Sequence, residues 1–324
     1  MVRVSVVTPT NRRPDLLDRC LAALLAQDID SCDYEVIVVD DAACDVTRQQ
    51  IERWASRGAA YGHTVRYLPA TGGRGPAAAR NRGWRAARAP IIAFTDDDCV
   101  PAPGWLRAGL IACAPDVAGA MGRIVVPVPH RSTDYERDAA RISTAEFVTA
   151  NCFYRRAVLA AAGGFDERFT AAWREDSDLF FTLLECGARL AHAPDAVVVH
   201  PIRPARWGVS LAQQRKSMFN ALLYKKHPAL YRRRIQAAPP WRYYVAVAAL
   251  LTAAAAHARQ RRACALVAGC VWVIVTARFC ARRLRGTSHA SRHVVEMAVT
   301  SALIPPLAIY WRLRGALTFR VWFI

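Results

Sequence analysis

Short β-branched runs alternate with helix-patterned stretches through the first two hundred residues, and nothing else in the chain restricts the fold as tightly. Val4-Ser-Val-Val7 is a buried-strand pattern, and Asp15 to Gln27 then carries Leu16, Leu17, Leu21, Leu24 and Leu25 at helical spacing. A strand at Glu35-Val-Ile-Val-Val39, a helix around 47–56 and a strand at 64–68 follow. A glycine-rich turn then leads to a helix near 76–87 and a strand at 90–95. This alternation predicts an α/β fold with a parallel sheet covered by helices on both faces. Ligands of such sheets bind outside the carboxyl ends of the strands. Those ends collect the unusual residues: Thr8-Pro-Thr10, Asp40-Asp41 and Asp96-Asp97-Asp98.

Of the 324 residues, 53% are hydrophobic and 22% charged, enough apolar material for a sizeable core and one or two domains. A disordered, collagen-like or small disulfide-stapled chain is excluded. The net charge of +18 is unevenly placed. Residues 1–200 hold 23 Lys/Arg against 25 Asp/Glu, a net of −2, whereas residues 201–324 hold 21 against Glu296 alone, a net of +20. Basic residues bordering apolar runs predict membrane lipid, and not nucleic acid, as partner. The ten cysteines are scattered with no C-x-x-C pair, so reduced thiols are expected in place of a disulfide framework or zinc knuckle. Met1-Val-Arg-Val leads straight into a strand with no signal-peptide pattern, and the first domain is expected to stay where it is made.

From about residue 241 the texture changes. Residues 243–258 form an apolar run of 16 followed by Arg259-Gln-Arg-Arg262, and residues 263–277 form a run of 15 ending in an arginine-rich stretch. Residues 294–311 form a third run of 18, interrupted by Glu296 and Pro305-Pro306. Each is short of the roughly 20 residues that cross a bilayer. A true span, an interfacial or re-entrant helix and a buried helix are therefore all open for any one run. Together they predict membrane association with two or three spans. With three, the arginine bias places 278–293 in the cytosol and the tail outside. Upstream, residues 207–231 mix Trp207, Leu211, Phe219 and Leu222 with Arg215, Lys216, Lys225 and Lys226, as a headgroup helix does, or an ordinary helix packed on the domain. The expected layout is a domain over 1–205, a basic amphipathic segment over 206–240 and membrane-associated helices over 241–324.

The acid triplet follows the apolar strand Ile91-Ile-Ala-Phe-Thr95, so strand alternation predicts Asp96 and Asp98 on one side and Asp97 on the other. Neighbouring carboxylates repel, and a hard divalent ion with phosphates in its other positions resolves that cost; the plain alternative is a polar turn. Gly72-Gly-Arg-Gly75 before Pro76 is a flexible loop feeding a helix N-terminus, suited to phosphate, but no Gly-Lys-Ser/Thr follows as in a Walker A loop. Glu175-Asp176-Ser177-Asp178 opens an apolar helix; three acids exceed what capping requires, so one is a candidate general base. His200 ends the strand Ala196-Val-Val-Val199, where either a structural or a ligand role is open.

In that order these segments resemble the family 2 glycosyltransferases, inverting enzymes with a GT-A (Rossmann-like) fold whose mostly parallel sheet is flanked by helices, over roughly residues 1–205. Val4-Ser-Val-Val-Thr-Pro-Thr-Asn-Arg12 is similar to the family's opening strand and nucleotide-binding turn. Val38-Val-Asp-Asp41 is similar to its second-strand acids, with Ala42-Ala43 where Gly-Ser is usual. Ala79-Arg-Asn-Arg-Gly83, Thr95-Asp-Asp-Asp-Cys-Val-Pro-Ala-Pro-Gly-Trp105 and Ala162-Gly-Gly-Phe-Asp-Glu167 with Glu175-Asp176 are similar to the three motifs that follow. The resemblance implies a nucleoside diphosphate sugar bound by Thr8, Pro9, Arg12, Asp40, Asp41, Gly73, Arg80, Asn81, Asp96 and Asp97. It implies Mg²⁺ or Mn²⁺ on Asp96 and Asp98, with His200 completing the metal site. Asp176 would be the base and Glu175 the second choice. A glycan or lipid-linked acceptor of the cell envelope, reached from the cytoplasmic side of the cell membrane, is the matching expectation. An inactive nucleotide-sugar-binding homologue and a nucleotidyltransferase are the alternatives; the first would be expected to lose the acids, the second to carry a lysine where Arg74 stands.

Overall fold

The computed structural model describes residues 1–70 and 75–323, so Gly72, Gly73 and Arg74 of the glycine-rich loop lie outside the described residues. The strands are β1 (Val4–Thr10), β2 (Tyr34–Asp40), β3 (Thr64–Pro69), β4 (Ile91–Phe94), β5 (Val100–Pro101), β6 (Gly119–Val125), β7 (Cys152–Arg155) and β8 (Leu190–Val199). Helices α1 (Pro14–Leu24), α2 (Asp45–Ala59), α3 (Pro76–Ala86), α4 (Trp105–Ala112), α5 (Asp134–Ala140), α6 (Arg156–Ala161) and α7 (Glu175–Glu185) are interleaved with them. Six more follow: α8 (Val209–Gln213), α9 (Phe219–Lys226), α10 (Pro228–Arg234), α11 (Trp241–Ala258), α12 (Arg262–Leu284) and α13 (Ser291–Phe319). The chain divides into two compact units, Met1–Pro127 with Ala140–Ile202, and Val128–Ala139 with Arg203–Ile324.

The first unit is α/β. Its eight strands form one sheet in the order β3-β2-β1-β4-β7-β6-β8-β5. Every residue of β2 is buried, as its apolar run on both faces requires, and Leu17, Leu21 and Leu24 of α1 pack with Val36 and Val38 in the core. The sheet is mixed and mostly parallel, as expected; the alternation accounts for its parallel pairs and not for its antiparallel ones. β3-β2-β1-β4 are parallel, as are β6 and β8. β7 runs antiparallel to both β4 and β6, and β5 to β8. A parallel neighbour needs a crossover that carries the chain back to the starting edge; residues 126–151 instead return at the edge where β6 ends. The four parallel strands bring Thr10, Asp40 and the residues after Phe94 to one edge.

In the second unit α12 and α13 are long and apolar enough to cross a membrane by length and composition. The basic stretch over 207–231 is not one helix. It breaks into α8, a 3-10 turn (Gln214–Met218), α9 and the start of α10, with Gly208 left-handed at one end and Pro228 starting afresh after His227. Phe219, Leu222 and Leu223 are buried. Arg283, also buried, donates to Asp134 Oδ2 from Nε (3.0 Å) and Nη2 (2.8 Å), which fastens α5 to the end of α12.

Candidate active site

Three segments of the first unit meet on one guanidinium. Arg80 enters from the first turns of α3, where Pro76 pre-sets the backbone and supplies no N–H. Its Nη1 donates to Glu175 Oε1 at 2.9 Å and its Nη2 to Asp96 Oδ1 at 2.7 Å. The side chains of Arg80 and Glu175 are 3% and 4% exposed, whereas Asp96 is 26% exposed and so presents the open side of the group. Buried ion pairs persist only with such geometry. Burial opposes the charge on Arg80, but Asp96 and Glu175 more than compensate, and its pKa is raised.

Burial pushes the Glu175 carboxyl up, helped by the charge of Asp176 and opposed by Arg80. Asp176 is raised too, again by desolvation, against the Ser177 N–H, Arg174 and Arg80. Ser177 donates to Asp176 Oδ1 from its backbone N–H at 2.6 Å. Both acids stand in the first turn of α7, preceded by Arg174 in left-handed backbone (φ 77°). Such strain at a non-glycine residue is kept where the surroundings over-determine it.

Strand alternation does not govern the acid triplet, because β4 stops at Phe94 and a turn follows, with Cys99 N–H donating to Asp96 O at 3.1 Å. The three carboxylates go to three different places. Asp96 goes to Arg80. Asp97 is buried and accepts from Thr10 Oγ1 (2.8 Å) and Arg13 Nη1 (3.1 Å), which ties the end of β1 to the turn. Asp98 Oδ1 lies 3.6 Å from His200 Nε2. Among the described residues, Asp98, Cys99 and His200 bring ligand atoms within 4.8 Å of one another, and Asp96 is not part of that group. A carboxylate beside an imidazole nitrogen fits Mg²⁺ or Mn²⁺. Cys99 does not, since burial, then the charges of Asp96 and Asp98, push its thiol well up.

The remaining candidates flank this centre. Asp40 is buried and closes its own turn, accepting from Ala42 N–H (3.0 Å), Cys44 N–H (2.8 Å) and the Tyr67 hydroxyl (3.3 Å). Asp41 accepts from Asn11 Nδ2 and from Gly75 N–H, both at 2.9 Å. Thr8 is buried, and its Oγ1 has no partner among the described residues. Pro9 is half-buried, and Arg12 is exposed with left-handed φ of 53°. Asn81 gives its whole side chain to the protein: Nδ2 donates to Phe165 O and Glu167 Oε1, and Oδ1 accepts from Phe165 N–H and Trp84 Nε1. It holds the Gly163-to-Glu167 segment against α3. Gly73 lies outside the described residues. Arg13, Tyr67 and Glu167 escaped the sequence reading. Glu167 stood inside a quoted motif, while Arg13 and Tyr67 carry no local signal.

Gly75 begins α3 at φ 92°, ψ 175°, a region open in practice only to glycine, and an added Cβ would lie 2.5 Å from Thr170 O. Gly75→Ala should therefore destabilise the first unit by about 2 kcal/mol or more. An unchanged unfolding midpoint in a denaturant titration would contradict this.

Comparisons with known proteins bear on the family and the fold. The family described as "Glycosyl transferase family 2" matches residues 5–163, and "Glycosyl transferase family group 2" matches residues 91–281. A "Pre-mycofactocin glycosyltransferase" of Mycobacterium tuberculosis is 35% identical over 217 residues, which cover 62% of this chain and 43% of that protein. The chain thus spans less than half the length of that relative. "Glycosyltransferase AglE" of Haloferax volcanii is 28% identical over 215 residues, covering 62% of this chain and 67% of that one. A solved structure of a mannosyltransferase from Pyrobaculum calidifontis, in complex with GDP-Man and Mn²⁺, aligns over 98% of this chain and 87% of its own, with a TM-score of 0.59 at 20% identity. That likeness carries the fold, which is the GT-A fold the motifs led one to expect. With a family match across more than half of its length, the chain belongs to the family 2 glycosyltransferases.

Proposed function

We propose that the chain moves a sugar from a nucleoside diphosphate sugar to an acceptor hydroxyl with inversion at the anomeric carbon. Support comes above all from Arg80, bonded at once to Asp96 after β4 and to Glu175 at the head of α7. It fixes a donor-side acid and an acceptor-side acid pair about one buried charge. In this reading Asp96, the most open of the triplet, faces the ribose, and Asp40, Asp41 and the Thr8-to-Arg12 turn frame the nucleotide. Asp176, made a better proton acceptor by its raised pKa, takes the acceptor's proton as its oxygen attacks and the bond to the diphosphate breaks. Glu175, neutralised by Arg80, positions that pair. Asp98 and His200 would hold Mg²⁺ or Mn²⁺, which when bound supplies charge neutralisation to the departing diphosphate. The basic apolar third suggests a lipid-linked or envelope glycan acceptor at the membrane, with the catalytic unit on the cytoplasmic side.

The test is release of nucleoside diphosphate by purified full-length enzyme across a panel of UDP-, GDP- and dTDP-sugars, with and without Mn²⁺ or Mg²⁺. GDP-mannose with Mn²⁺, the pair bound in the Pyrobaculum calidifontis structure, is one arm. Turnover is expected with at least one donor and should disappear with a chelator. Equal turnover in chelator and metal would remove the metal from the reading.

A further inference from the structure

We propose that α11 and α12 form one membrane-crossing hairpin, and that α13 lies in the plane of the bilayer surface against anionic headgroups. Both ends of α13 then stay on the side from which α11 departs. The proposal rests on the membrane reading above and refines it.

α12 and α13, but not the shorter α11, are long and apolar enough to cross by themselves, yet 6% of the most apolar stretch of α12 is buried against 33% of that of α13; α11 would cross only as the partner of α12. The hairpin has a defined base. Tyr243 and Phe279 rings meet at 5.5 Å, and the Arg242 guanidinium lies 5.8 Å from the Phe279 ring centre. At 1.5 Å per residue, residues 243–258 of α11 and 262–279 of α12 carry the turn at 259–261 about 24–27 Å from that base. The turn holds Arg259, Arg261 and Arg262, which are costly to leave in hydrocarbon, so the hairpin crosses and does not re-enter.

α13 touches this base twice. Arg283, at the end of α12, donates to Thr300 Oγ1 at 2.6 Å and to Ser301 Oγ at 3.2 Å. About 18 Å further along the axis, Arg312 Nη1 donates to Gln236 Oε1 at 3.4 Å, five residues before α11 begins. A third span antiparallel to α12 would have carried Arg312 about 18 Å from the base, most of the way to the turn. It has not risen. α13 passes across the base from the end of α12 towards the start of α11.

Its buried face continues along the polar segment that precedes the hairpin. Glu296 Oε1 accepts from Gly208 N–H at 2.7 Å, and Phe319 O accepts from Lys225 Nζ at 2.8 Å. Gly315 lies so close to Met218 that an added Cβ would be 2.4 Å from its carbonyl oxygen. That segment exposes Arg215, Lys225, Arg233 and Arg234, so it cannot accompany α13 into hydrocarbon. On the opposite face Val295, Val299, Leu303, Tyr310, Leu313 and Leu317 are exposed; at 3.6 residues per turn they fall within an arc of about 80°. Arg292 lies at the N-terminal end of this stripe, and Arg314 about 20° beyond its edge. Midway, Pro305-Pro306 removes two backbone donors; Ser301 is fully buried in the protein, but the freed carbonyl of half-buried Ala302 is satisfied by water or headgroups more readily than by lipid tails. One acid against 21 basic residues in 201–324 selects an anionic surface.

The test places epitope tags at the N-terminus, at Gln260 and after Ile324 of the full-length protein in sealed membrane vesicles. The terminal tags should be reached by protease from one side and the Gln260 tag from the other. A C-terminal tag on the Gln260 side would overturn the proposal, because α13 would then cross. All three tags on one side would overturn it by removing the crossing hairpin; release by carbonate in that case takes the membrane reading down as well, whereas retention leaves that reading standing. In reconstituted vesicles, trypsin should cut after Arg314 several-fold more slowly with phosphatidylglycerol present than in phosphatidylcholine alone. Equal rates would overturn the headgroup assignment.

Discussion

Asp176→Asn should lower turnover by about 10²–10⁴, roughly 3–5 kcal/mol of transition-state stabilisation, with nucleotide affinity little changed. The amide keeps the shape and still accepts from the Ser177 N–H, now 2.6 Å from Oδ1, but it cannot take the acceptor's proton. A pure helix cap would survive the change, since Asn caps as well as Asp. The pH profile provides a second readout. A base must be deprotonated, and the Asp176 pKa is raised by desolvation, so the acid limb of kcat/KM should lie above the ordinary aspartate range. Glu175→Gln separates the two acids. Near wild-type turnover in Asp176→Asn with turnover lost in Glu175→Gln would move the base to Glu175, whose Oε2 has no partner among the described residues. Retained turnover in both would remove the pair from the mechanism.

Asp98→Asn should lower metal-dependent turnover by about 10³-fold or more, because a neutral amide beside His200 holds a divalent cation poorly. Asp97→Asn is the control. Asp97 faces Thr10 and Arg13, away from His200, and an amide oxygen there still accepts from the threonine hydroxyl. Its loss should be much smaller and accompanied by lower stability. Isothermal titration with Mn²⁺ beside steady-state rates checks both: weakened metal binding is expected in Asp98→Asn alone. Equal loss of binding in the two variants would shift the ligand role to Asp97.

The sequence exposed the strands whose apolar runs are buried on both faces, β1 and β2, and the helices between them, because period and burial are local properties. It concealed the direction of β7, which depends on where residues 126–151 bring the chain back. Arg80 stood out as a candidate, but its bond to Glu175 joins positions 95 apart, and no periodicity encodes that. The acid triplet was legible as a cluster and misread in orientation, since three carboxylates beyond Phe94 leave the strand and follow a turn. Asn81 illustrates the converse: a polar residue in a functional motif whose four hydrogen bonds all serve the backbone and side chains around it.

The excursion Val128–Ala139 belongs with residues 203–324, although its sequence neighbours on both sides belong to the α/β unit. The chain therefore passes between the units three times, after Pro127, after Ala139 and after Ile202. One proteolytic nick near residue 203 should leave the pieces together under native conditions, because residues 128–139 pack with 203–324 across the cut and Asp134 stays paired with Arg283. A shortened chain ending near 205 would keep Asp134 and lose its arginine, leaving a twelve-residue excursion with nothing to fold upon. A fragment limited to the α/β unit calls for two edits: removal of everything after residue 202, and replacement of 128–139 by a short turn.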